Sequence, residues 1–286
     1  MTSPGTARRL WALGEPFHAL IYFADEAQEA GAAAGLTGFW QTYFAFRAAP
    51  LGAVGPEVVT AAFYNFAPSF VARGVPAVWS AVSPAGALEA RLSGVDAAAR
   101  RVLGEGLGSD ELAEAAELAG TAAATVQAPG RPLAAANTAV PVPDAPHLAL
   151  WQALTTLREH RGDGHNVALL QREVDGVGAH VLAAAAGRST REWLCRARGW
   201  DDAAWDAAAD RLTARGWLDD GELSAEGLAM VTAIEADTDR LALAPWQALG
   251  DARCDRLAEL LTPVRRAVVA AGDWPTGNPI GAPEPD

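Results

Sequence analysis

The chain has 286 residues, half of them hydrophobic and a fifth charged, enough to bury a sizeable core and to suggest two domains. No run of about 18 uninterrupted apolar residues is present, so a membrane span is not expected. All 22 basic side chains are arginine, against 35 Asp and Glu, and the formal net charge of −13 weighs against a protein that neutralises DNA phosphates.

The N-terminus has no apolar stretch ending in a small-residue cleavage site, so a cytoplasmic location is expected. Cys195 and Cys254 then read as thiols rather than a disulfide, and no zinc pattern accompanies them. No membrane partner is expected.

Helical periodicity dominates. Over 7–30, Leu10, Leu13, Phe17, Leu20 and Ile21 fall at helical spacing, with a kink or break expected at Pro16. Next comes "LTGFWQTYFAFRAAPLG", with Phe39, Trp40, Tyr43, Phe44 and Phe46 in eight positions, a helix aromatic enough to be buried. Residues 56–76 read as a helix with Pro56 in its first turn and Pro68 interrupting it. Ser83 and Pro84 start another helix, and Ser109 or Asp110 caps the one after it. Residues 128–146 are rich in Pro and Ala and read as a linker.

"HLALWQALTTLREHRGDGHNVALL" reads as a helix ending near His160, a turn broken by Gly162 and Gly164, and a second helix, with a short helix following. Over 188–250 the order is a short helix capped by Ser189, a longer helix closed by Gly216, a tight turn with a short strand on each side, and one long closing helix. The fold expectation is therefore all-α with a small β-wing: an N-terminal helical domain (1–127), the linker (128–146), a helical hairpin plus winged-helix-like domain (147–270), and a flexible tail (271–286).

The phrase L-x-x-R-G-W-L…G-x-L-S-x-E-G, residues 212–227, resembles the wing of MarR-type regulators. That resemblance implies a second helix set to enter a major groove. Its first turns here carry Asp201, Asp202, Asp206 and Asp210, with Asp219, Asp220 and Glu222 in the wing. Four carboxylates facing phosphates repel them, although capping alone accounts for Asp201 and Asp202. DNA is thus not the expected partner, and the unit reads as a structural lid or a dimerisation module. A homodimer is compatible with it.

The densest polar cluster is "EHRGDGH", residues 159–165. Capping explains it without function: Glu159 and His160 in a last turn, Gly162 beyond it, Asp163 capping the next helix. Catalysis explains it too. His160 or His165 could move a proton, Asp163 or Glu159 could orient the imidazole, and Arg161 could clamp an anion. Glu15, His18 and Tyr22 share one face of an apolar helix, and Arg47 follows the aromatic run. Were these groups to converge, Trp40, Tyr43 and Phe44 would wall an apolar pocket with a few placed polar groups. The HxxxxH spacing is not a known ligand spacing, so no metal is expected. His147 and His180 read as structural. Without a phosphate loop, GxGxxG or GxSxG, no organic cofactor is expected either.

The stretches "LGEPFHALIYF", "GFWQTYFAFRAAPLG", "LWQALTTLREHRGDGHNVALL", "ARGWDDAAWDAAADRLTARGWL" and "TDRLALAPWQALG" resemble an actinobacterial family of helix-turn-helix-containing proteins, over about residues 8–268. Its pattern takes in His18, Arg47 and the EHRGDGH motif. The resemblance implies the architecture and supplies no reaction. The leading functional expectation is a small-molecule enzyme of specialised metabolism using His/carboxylate acid–base chemistry between the two domains. A metabolite-binding self-resistance protein and a ligand-responsive winged-helix regulator are the alternatives.

Overall fold

Proline and serine set where the helices begin. The computed structural model describes residues 2–275 and residue 280. Its first helices are α1 (Pro4–His18), α2 (Leu20–Phe23), α3 (Asp25–Ala33) and α4 (Gly38–Ala48). Next come α5 (Pro56–Phe63), α6 (Pro68–Gly74), α7 (Val78–Ala81), α8 (Pro84–Leu103) and α9 (Asp110–Ala123). Pro4, Pro56, Pro68 and Pro84 all sit in first turns, where a missing N–H leaves no bond unmade. Ser83 caps α8 by accepting from Gly86 N, and Ser109, not Asp110, caps α9 by accepting from Leu112 N.

Pro16 does not break α1, which runs on to His18 before the interruption at Ala19. A proline there frees the carbonyl four residues earlier, Ala12 O. The Arg265 guanidinium donates to that oxygen from the last long helix, so the helix continues with its backbone satisfied.

The expected turn at Gly162–Gly164 is absent. One helix, α11 (Pro146–Gln171), runs through both glycines and is buried along most of its length. Each glycine costs a helix only about 1 kcal/mol against alanine, and packing on several sides outweighs that. Gly164 permits the packing: a Cβ there would lie 3.0 Å from Arg131 Nη1 and 3.1 Å from Leu241 Cβ. The Pro/Ala-rich stretch 128–146 holds α10 (Pro132–Thr138), whose Leu133 and Ala134 are buried. Asp163 caps a helix, but not its own: Oδ2 accepts from Ala134 N, in the first turn of α10, at 2.9 Å.

Then come α12 (Gly176–Ala185), α13 (Arg191–Arg198) and α14 (Asp202–Ala214). Thr190, one residue beyond Ser189, caps α13 by accepting from Trp193 N, and Asp201 caps α14 by accepting from Ala204 N. Strands β1 (Leu218–Asp219) and β2 (Glu222–Leu223) pair antiparallel, Leu218 with Leu223. Asp220 and Gly221 join them at φ 48 and 84, the two positive φ angles of a type I′ hairpin turn. The long closing helix is two, α15 (Ala225–Leu241) and α16 (Ala244–Leu249), because Pro245 starts a new first turn. The last helix is α17 (Asp251–Ala270). The protein is all-α with a small β element.

The apolar residues form two cores. The larger gathers side chains from 7–157 and 242–274; the smaller gathers 168–234. The two sets part between Leu157 and Ala168, inside α11, and α16 and α17 belong to the larger core. Of the tail expected to be flexible, Trp274 is buried edge-on against Phe23, while 276–279 and 281–286 lie outside the described residues.

Candidate ligand cavity

Helical geometry splits the EHRGDGH motif. Arg158, Arg161, Gly162, His165, Asn166 and Leu169 recur at helical spacing and face a cavity of about 500 Å³. That volume lies within the usual range of small-molecule sites. Opposite α11 stand Trp40 and Tyr43 of α4 with Phe63 and Phe66; the third side is α12 and α13, with His180, Trp193 and Arg198; Glu235 and Thr238 of α15 complete it.

Of the residues expected to form a site, Tyr22, Trp40, Tyr43, Arg47, Arg161 and His165 line this cavity. Glu159, His160, Asp163, His18 and Phe44 do not. Phe44 packs behind the wall, its ring 5.7 Å from that of Tyr43. His160 and Asp163, three residues apart, share another face of α11 beside Arg131, which donates to His160 O and Leu241 O. Burial pushes the His160 imidazole down to about 4, with Arg131 adding to the effect. Burial pushes the Asp163 carboxyl up to about 7 against the bond from Ala134.

Glu159 is a buried counterion held by two arginines. Arg47 donates to both of its oxygens, at 2.9 and 3.0 Å, and Arg158 donates to it at 3.0 Å. Burial alone would raise this carboxyl, but Arg47 and Arg158 hold it well below the usual range. Arg158 also donates to Glu15 at 3.3 Å, where Trp11 Nε1 donates at 2.6 Å. There burial wins and the Glu15 carboxyl is raised. Arg161 is likewise engaged, donating to Asp239 at 2.7 Å with its guanidinium 4.2 Å over the Trp11 ring.

Two histidines share one arrangement. His18 Nδ1 lies 3.0 Å from Thr155 Oγ1, and Thr155 donates its hydroxyl hydrogen to Trp151 O. His165 Nδ1 lies 2.9 Å from Thr238 Oγ1, which donates to Ile234 O. Each hydroxyl must then accept, which places the imidazole hydrogen on Nδ1 and the lone pair on Nε2. Burial lowers both pKa values, so both rings are neutral near pH 7. His18 lies behind Tyr22, edge-on at 5.4 Å, and its Nε2 is buried without a partner among the described residues.

Arg158, Phe66 and Trp193 are cavity residues that sequence reasoning does not single out, and His180, read as structural, and Arg198 line it too. Arg158 precedes His165 by seven residues, a spacing that speaks only once the segment is known to be one helix. The end of α13 and the turn into α14 dock closely here. Asn65 O accepts from Trp200 Nε1 at 2.9 Å and pairs with His180 Nε2 at 3.0 Å. Ala67 N donates to Arg198 O at 2.9 Å, and a Cβ on Gly199 would fall 2.3 Å from Phe70 Cβ.

On the outer face of α14, Asp202, Asp206 and Asp210 are exposed, as are Asp219, Asp220 and Glu222 of the hairpin. Neighbouring arginines are engaged: Arg191 pairs with Asp202 and Asp206, Arg211 with Asp175, and Arg215 donates to the Arg172 and Glu173 carbonyls. Among the described residues no group of three or more His, Cys, Asp or Glu is placed to hold a metal ion, and no helix is long and apolar enough to cross a membrane.

No curated protein and no solved structure matches the chain. A family model described as a helix-turn-helix family matches residues 7–275, and the chain belongs to that family.

Proposed function

We propose that this protein is a small-molecule receptor whose winged-helix-like unit, α12–α15 with the hairpin, forms one wall of the ligand site. The observation that carries this is the cavity of about 500 Å³ shared by α4, α11, α13 and α15. A ligand there touches Trp193, Ala197 and Arg198 of α13, so occupancy acts directly on how the helix-turn-helix unit docks.

Acid–base catalysis has less support. His160 and Asp163 face away from the cavity, and Glu159 is locked between two arginines. His165 is the remaining candidate, a neutral imidazole on the lining. A sequestering self-resistance protein and a ligand-responsive regulator share the binding step and differ in output. The acidic face of α14 favours an output other than DNA.

Native mass spectrometry of the full chain isolated from its own cells tests the binding step, with Ala183→Trp filling the cavity. A small molecule retained by wild type and lost from the variant is expected. Wild type without a ligand, both as isolated and across a panel of metabolites, overturns the proposal, as does equal retention by both proteins. Duplex DNA anisotropy at low salt separates the outputs, with no sequence-specific binding expected.

A further inference from the structure

The cavity is cationic although the chain is strongly acidic. Its lining carries six guanidiniums, Arg47, Arg158, Arg161, Arg188, Arg196 and Arg198, and one carboxylate, Glu235. Four of the six have protein counterions. Glu159 serves Arg47 and Arg158, Asp239 serves Arg161, and Glu235 serves Arg188 at 2.9 Å. Arg196 is exposed, and water can solvate it.

Arg198 differs. It is half-buried, and no carboxylate pairs with it among the described residues. Its guanidinium lies 4.7 Å over the Phe66 ring, and its one side-chain hydrogen bond goes to the adjacent Ala197 carbonyl at 3.2 Å. After burial, the influences that lower its pKa are the like charges of Arg47 and Arg158. A half-buried guanidinium without a carboxylate partner, within electrostatic reach of Arg47 and Arg158, can accommodate an anion, and its planar fork suits a two-oxygen group. Beside it the cavity is lined by flat aromatic rings: Trp40, Tyr43, Phe66 and Trp193.

We propose that the ligand is an aromatic or flat apolar molecule bearing an oxyanion (carboxylate, sulfonate or phosphate), with Arg198 as the seat of the anion and the α4 wall as the seat of the ring. This rests on the cavity being a ligand site, as proposed above. Glu159 prevents Arg47 and Arg158 from taking the anion themselves, so they attract it at longer range while Arg198 holds it. The two cavity imidazoles are neutral and do not compete.

The test uses two dyes that differ only by a sulfonate: 1-anilinonaphthalene-8-sulfonate and N-phenyl-1-naphthylamine. Each is titrated by fluorescence against the full chain, its Arg198→Gln and Arg198→Lys variants, and Ala183→Trp. Both dyes are expected to lose their site in Ala183→Trp. Arg198→Gln is expected to weaken the sulfonate about tenfold and to move the neutral dye by less than about twofold. Arg198→Lys, which keeps the charge and loses the fork, is expected to fall between wild type and Arg198→Gln, and covers the case in which Arg198→Gln does not fold. If the sulfonate-to-neutral affinity ratio is unchanged in both Arg198 variants while Ala183→Trp blocks both dyes, the cavity binds ligand and the anion assignment is wrong. If Ala183→Trp blocks neither dye, the ligand site itself is wrong and the anion assignment falls with it.

Discussion

Replacing Glu159 with glutamine should destabilise the protein more than any surface change. The variant keeps the shape of the side chain and removes the anion that Arg47 grips at 2.9 and 3.0 Å and Arg158 at 3.0 Å. The Glu159 side chain is 2% exposed and that of Arg47 10%, so water cannot replace the lost charge. Breaking a buried pair from one side costs about 3–5 kcal/mol, because the surviving cation stays buried without its partner. Two cations depend on Glu159, and Glu15 remains for only one of them. At roughly 2–4 °C per kcal/mol for a chain of this class, the melting temperature should fall by about 6–20 °C. The acid limb should change as well. A carboxyl held below its unfolded pKa contributes stability that is fully present above the unfolded pKa and is lost as pH falls through the folded one. Glu159→Gln should therefore lose less stability between pH 5 and 3 than wild type. Calorimetry across that range is the assay. A fall in melting temperature of less than about 2 °C at pH 7, with the acid limb unchanged, would show that the Arg47–Glu159–Arg158 group is not the buried ion cluster described.

Asp163 carries the opposite sign. Its folded pKa is raised to about 7, so wild-type stability should fall as pH rises from the unfolded value near 4 towards 7, by at most about 1.4 kcal/mol per pH unit. Asp163→Asn, whose amide oxygen can still cap α10, should flatten that slope in denaturant titrations, and an unchanged slope would rule out a raised pKa. Gly199→Ala forces a Cβ against Phe70 at φ 76, and should cost more than about 1–2 kcal/mol. Hydrogen exchange should then rise over 62–70 and 190–205 together, and a rise confined to one segment would refute their docking. Pro16→Ala restores an N–H that competes with Arg265 for Ala12 O, so Arg265→Leu should be milder in that background than in wild type.

Local signals were legible where the chemistry is local. Proline in first turns, Ser83 and Ser109 as caps, and Asp220-Gly221 as a hairpin turn all depend on residues a few positions apart. The motif at 159–165 misled because Gly162, Gly164 and Asp163 are turn residues by local rule. Here burial of α11 overrides the glycines, and Asp163 caps a helix 29 residues away. Part of the candidate cavity lining followed from the sequence: an aromatic helix with Arg47 in its last turn, and the Tyr22 ring 5.1 Å from that of Tyr43. That Arg198 lines the cavity could not be read from the sequence, because the turn at 199–200 docks on 65–70, a contact that no periodicity encodes.

That docking bears on the proposed role of the α12–α15 segment. In a DNA reader the turn and the second helix must stay presentable to the groove. Here Gly199 abuts Phe70, Trp200 donates to Asn65 O, and the α13 side chains Trp193 and Arg198 face inward. The face left outside is that of α14, and its exposed charges are mostly carboxylates, with Arg211 paired to Asp175. Arg188 and Arg198 of the segment line the cavity, while its outer arginines Arg191 and Arg211 are paired with carboxylates, which leaves that surface little free positive charge for phosphate contacts. The cavity lining carries six arginines against one glutamate, in a chain of net charge −13. On the anion proposal above, such a lining would favour a small anion that fits the cavity over a polyanion that does not. Raising salt should weaken the sulfonate dye only modestly, because a partly enclosed guanidinium is screened less than a surface one. Loss of more than about tenfold in sulfonate affinity between 50 and 500 mM salt would place the anion at the rim, near Arg196, rather than inside against Arg198.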